Sequence, residues 1–144
     1  MAAPVVNAAF GTTIAHGVTG TYTALLQVVS LDGPSSEMGT RETTHLTSAN
    51  SAKTYAKTLF DGGEVSGQLE IDPKGDTHSV WLALFYSNTQ VTNGEQWQMT
   101  FVDAGVSKAT FLGILTKFNV TGVEMEANLL ADFTIKISGV VTWS

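Results

Sequence analysis

Between Gly63 and Asp72 the sequence alternates without a break. Val65, Gly67, Leu69 and Ile71 fall on one side, and Glu64, Ser66, Gln68, Glu70 and Asp72 on the other. Successive side chains of a strand point to opposite faces, so this is a strand with one face buried and one in water. Such a strand needs neighbours to pair with and a layer to cover its apolar side. The spacing then changes across the turn "DPKGD". In the segment Thr77–Asn88, Val80, Trp81, Leu84 and Phe85 recur at helical intervals, which predicts one amphipathic helix with Asp76 or Thr77 as its N-cap.

The remaining segments read mostly as strands. In "TYTALLQVVSLD" (Thr21–Asp32) apolar residues fall on both faces, which predicts one strand covered on both sides. "QWQMTFVD" sets Trp97, Met99 and Phe101 against Gln96, Gln98 and Thr100. "KATFLGILTKFNVTG" predicts a long strand with a bend at Gly113, and the C-terminal stretch turns Leu129, Ala131, Phe133, Ile135 and Ile137 inward. Short turns favour antiparallel pairing. The expected fold is mainly β with one α-helix, an antiparallel β-sandwich or distorted barrel flanked by that helix. Residues 1–20 read as an N-terminal arm with room for one short strand, and 21–144 as a single domain. Residues 33–63 are polar and poorly periodic, and read as a long loop of the kind that carries function.

Composition and motifs exclude several function classes. The chain has 144 residues, enough to bury a single core, and no cysteine for disulfides or thiolate metal sites. Its formal net charge of −6 lacks the basic footprint of a nucleic-acid binder. No apolar run approaches the ~20 residues of a membrane span, and "MAAPVVNAAF" has no basic leader region. His16, His45 and His78 show no metal-ligand spacing and read as polar surface histidines, so neither metal nor cofactor is expected. No nucleophile elbow or phosphate loop is present; Asp72 and Asp76 read as turn and cap. The "NVT" at Asn119 is a sequon by pattern only, and Glu124, Glu126 and Asp132 read as a solvated turn rather than paired catalytic carboxylates. No catalytic residue is assigned, and the chain is not expected to be an enzyme.

The order of parts carries more information than any one residue. A bifacial strand leads to the "GPSSE" turn, then to the threonine-rich segment Thr43–Ser48, Leu59 and Phe60, Gly63–Ser66, and Asp72–Pro73 before the helix and the long strands. From about Leu25 to the C-terminus, this resembles the major tail tube proteins of long-tailed bacteriophages, whose fold is shared by the type VI secretion ring protein. One departure is "SAKTYAKTLFDGG", which lacks the charged run the family often carries before the glycine.

The resemblance implies a structural virion protein that closes into homohexameric rings stacked as a hollow tube, assembled in the host bacterial cytoplasm and located in the virion tail. Its partners would be other copies of itself, a tape measure protein, a tail terminator and tail tip proteins, with DNA passing through unbound and no membrane involved. Glu64, Ser66, Gln68, Glu70 and Asp72 would face the lumen, where a mildly acidic lining repels phosphate. Thr47, Ser48, Asn50, Lys53, Tyr55 and Lys57 would contact the next ring. The alternative is a β-sandwich binding module, such as a virion decoration or carbohydrate-binding domain.

Overall fold

The computed structural model describes residues 11–18, 20–45, 52–87, 94–121, 123 and 128–144. Among the described residues nine strands and one helix lie in this order: β1 (Thr13–Val18), β2 (Thr21–Ala24), β3 (Val28–Asp32), β4 (Glu37–Glu42), β5 (Tyr55–Asp61), β6 (Glu64–Glu70), α1 (Asp76–Tyr86), β7 (Glu95–Thr100), β8 (Lys108–Thr121) and β9 (Leu130–Trp143). Seven strands form one antiparallel sheet in the order β2-β1-β7-β8-β9-β6-β3, and β4 pairs with β5 in a separate two-stranded sheet.

β2 and β3 follow one another in the chain yet occupy opposite edges of the large sheet. Only Leu25, Leu26 and Gln27 join them. That connection spans roughly 14 Å at most, so the sheet curls until its two edges nearly meet. The edges do not pair, and the curl stays an open, distorted barrel rather than a closed one. The expected antiparallel, mainly-β fold with a single helix is the one observed.

The expectation of one bifacial strand over Thr21–Asp32 is corrected here. Gln27 has φ +60°, a turn conformation that ends β2 and launches β3 at the far edge. Residues 13–18, within the stretch read as an arm, form β1, an inner strand between β2 and β7. The loop expected over 33–63 contains the β4–β5 hairpin, whose tip falls outside the described residues.

The core lies inside the curl. Ile14, Leu25, Val65, Leu69, Trp81, Trp97, Met99, Phe133 and Ile135 are buried there. α1 drops Trp81 into it, edge-on to Trp97 at 4.9 Å and to Phe133 at 5.2 Å between ring centroids. The indole N–H of Trp97 donates to the carbonyl of Gly113 at 2.9 Å. A Cβ on Gly113 would stand 2.8 Å from the carbonyl oxygen of Lys136, so only glycine lets β8 and β9 approach there. Register shifts on either side of Gly113 mark the bend expected in β8.

The helix begins and faces differently from the sequence reading. Gly75 occupies the N-cap, with no side-chain hydrogen bond. The Thr77 hydroxyl instead accepts from the backbone N–H of Leu26 at 3.2 Å. The buried stripe runs through Thr77, His78 and Trp81, with Leu82, Leu84 and Phe85 partly buried, while Val80 points outward at 52% exposure.

Candidate functional site

β6 presents Glu64, Ser66, Gln68 and Glu70 outward, as its alternation required, with Val65 and Leu69 in the core. The register shows what surrounds them. Glu64 lies opposite Lys136, Ser66 between Asp32 and Thr134, Gln68 opposite Asp132, and Glu70 opposite Leu130. Lys117 of β8 lies opposite Thr134. The face is held by side-chain bonds: Gln68 Nε2 donates to Asp132 Oδ1 at 3.1 Å, and Asn128 Nδ2 to Glu70 Oε1 at 3.0 Å. Four carboxylates (Asp32, Glu64, Glu70, Asp132) against two ammonium groups (Lys117, Lys136) leave it mildly acidic, at a net −2.

Asp72 does not belong to this face. It lies past the end of β6, where its carboxylate accepts from the Lys74 N–H at 3.1 Å and its carbonyl from the Gly75 N–H at 2.8 Å. This is the turn role expected for the "DPKGD" motif, and β6 ends at Glu70, two residues short of the expected Asp72.

His78, read from sequence as a surface residue, is buried at 3% exposure. Its Nδ1 accepts from the Asp72 N–H at 2.9 Å, which places the proton on Nε2 to donate to the Leu26 carbonyl at 2.8 Å. With Thr77, it ties α1 to the Leu25–Gln27 crossing that joins the sheet edges. Adjacent positions at a helix start carry no periodic signal for such a lock. His16 packs against Trp97 with ring centroids 5.0 Å apart, and its Nε2 lies 3.7 Å from the Glu95 carboxylate.

The β4–β5 hairpin stands apart from the core. Not one residue of either strand is buried, and Leu59 is 88% exposed. It is anchored at its base, where the Ser36 hydroxyl donates to the Gly62 carbonyl at 3.1 Å and the Ser35 N–H to the Glu64 carbonyl at 3.2 Å. Of the residues expected to contact a neighbour, Lys53, Tyr55 and Lys57 lie exposed on this arm. Thr47, Ser48 and Asn50 lie outside the described residues.

Between the two sheet edges runs a cleft of about 950 Å³, floored by Leu25, Val28, Leu31 and Met99. The Phe101–Trp143 stack, 5.5 Å between centroids, stands at its rim. No sequence pattern pointed to it, because it arises from the curl. Asp132 is engaged by Gln68, and Glu124 and Glu126 lie outside the described residues. Among the described residues no cluster of His, Asp or Glu could hold a metal, and no helix is long and apolar enough to cross a membrane.

No family model matches the sequence, and no curated protein matches it. Solved structures match closely in fold. A chain from the virion of a native gene transfer agent particle superposes with TM-score 0.74 at 13% identity, covering 96% of this chain and 99% of that one. A chain from the tail of an empty gene transfer agent particle, refined with C6 symmetry, gives 0.72 at 14% identity over 92% and 94%. A chain from the sheath/tube terminator of an extracellular contractile injection system in its extended state gives 0.72 at 9% identity over 99% of each chain. The chain has the tail tube fold.

Proposed function

We propose that this chain is a structural, non-enzymatic subunit of a hollow tail tube. Six copies close into a ring, and rings stack into a tube within a virion tail, assembled in the bacterial cytoplasm. The observation that carries this reading is the fold match over nearly the full length of both chains, to a gene transfer agent tail refined with C6 symmetry and to the sheath/tube terminator of a contractile injection system. The anatomy supports it. An arm with no buried residue is marginal alone and gains cover only from another chain. The unpaired edges β2 and β3 are short, at four and five residues, and are covered once copies pack side by side.

The β3-β6-β9-β8 face is assigned to the bore. Its hydroxyls, amides and small negative balance suit a wall that DNA slides past without sticking, since a basic wall would gain affinity through counterion release. The tube ends on terminator and tip proteins and encloses a tape measure. Electron microscopy of the purified chain tests the reading: rings or tubes with a central hole are expected. A dispersed monomer at high concentration would overturn it in favour of a binding module.

A further inference from the structure

The cleft between the two sheet edges is apolar in body and carries one charge. Leu25 and Met99 are buried at its floor, while Leu26, Val29, Val102 and Trp143 stand exposed around it. At about 950 Å³ it has the size and the apolar, aromatic lining of a small-molecule site. Among the described residues that line it, the only ionisable side chain is Asp103. Its two oxygens accept from the Ser107 N–H and hydroxyl at 2.6 Å each, which fixes where the carboxylate sits. Each oxygen keeps a second lone pair for a further donor. The turn that carries Asp103 is held in a costly form, with β-branched Val106 at φ +50°.

We infer that this cleft binds a molecule with an apolar or aromatic body and a single ammonium group, and that the bound molecule bridges the two sheet edges. The body displaces water from the exposed apolar side chains. The ammonium donates to Asp103, a charge-assisted contact, and the ring of Trp143 beside Phe101 attracts the same cation. An anionic ligand would find no cation in the lining and would meet the carboxylate instead. Through the backbone, only Leu25–Gln27 joins β2 to β3. A molecule seated against β3 on one side and the β7–β8 turn on the other ties together what the curl leaves open. None of the four carboxylates on the outward β6 face lines this cleft, so its test leaves the tube reading standing either way.

The probe is 4-phenylbutylammonium, with 4-phenylbutanol and 4-phenylbutanoate as its uncharged and anionic counterparts. The chain reports on the site itself: of its three tryptophans, Trp81 and Trp97 are buried and only Trp143 is open to a quencher. The amine should bind saturably, shield Trp143 from acrylamide and raise the thermal midpoint as its concentration rises. Its dissociation constant should be roughly tenfold below that of the alcohol, and the carboxylate should bind more weakly still. Asp103→Asn should erase the preference for amine over alcohol, a comparison within one variant that a less stable turn does not move. Val29→Lys, at an exposed position on the β3 side, should weaken the amine and spare the alcohol. No saturable binding, equal affinity for the three probes, or an Asp103→Asn chain that keeps the preference overturns the inference. So does shielding of Trp143 that grows with protein concentration in the absence of probe, which assigns the cleft to a second copy.

Discussion

His78 Nε2 and the carbonyl oxygen of Leu26 lie 2.8 Å apart, although 52 residues separate them in sequence. The bond fixes the helix start to the segment where the chain crosses from one sheet edge to the other. His78→Ala should leave the Leu26 carbonyl and the Asp72 N–H without partners, which costs about 2–4 kcal/mol together. His78→Gln, which can still donate to Leu26, should recover part of this. Urea denaturation measures both, and an unchanged midpoint in the alanine variant would show that the crossing holds without the ring.

Trp81 and Val80 are neighbours with opposite surroundings, at 1% and 52% exposure. Trp81→Ala removes the aromatic contact with both Trp97 and Phe133 and should cost about 3–5 kcal/mol. Val80→Ala should stay within about 0.5 kcal/mol. Comparable losses in the two variants would mean that α1 is rotated from the orientation described.

The alternation of β6, Trp97 and Met99 in β7, and the inward series of β9 were legible because one buried face imposes period two. The helix was legible in type but not in face. Its apolar residues cover more than one side, and the polar Thr77 and His78 turned inward to bond a distant crossing. Gln27 shows a different limit: a single turn residue divides what reads as one strand, and nothing local distinguishes it. The site was half legible. Outward Glu64 and Glu70 follow from alternation, but Lys136 and Lys117 beside them depend on register, which one sequence does not contain.

The turn after β7 is pinned by one carboxylate. Asp103 accepts from both the Ser107 N–H and the Ser107 hydroxyl at 2.6 Å. The hydroxyl first, and then the N–H, hold the Asp103 carboxyl below its ordinary value. A lowered folded-state value means stability that is present above the unfolded-state value and lost as pH falls through the folded one. Asp103→Asn should therefore lower the thermal midpoint at neutral pH. The gap from wild type should close only on acidification below the usual carboxylate range. A gap that stays constant down to that acid range would show that the charge is not what holds the turn.

The outward face of β6 offers the most direct test of the bore. Glu64→Lys with Glu70→Lys exchanges two of the four carboxylates on this face and turns its net charge from −2 to +2 in every subunit. The two positions are not equivalent. Glu64→Lys sets a second ammonium opposite that of Lys136, a like-charge cross-strand pair that costs roughly 0.2–1 kcal/mol, whereas Glu70→Lys faces the apolar Leu130. Loss of the Asn128 bond to Glu70 adds a little, so the subunit should fold with slightly lower stability and still form rings. The altered wall would attract phosphate, and DNA passage should slow or stall, most at low salt where screening is weakest. Assembly by microscopy is read beside DNA delivery at several ionic strengths. Intact tails that deliver DNA at the wild-type rate in low salt would place this face away from the bore. Loss of assembly with the subunit folded would place Glu64 or Glu70 at a contact between copies, and the single variants would say which.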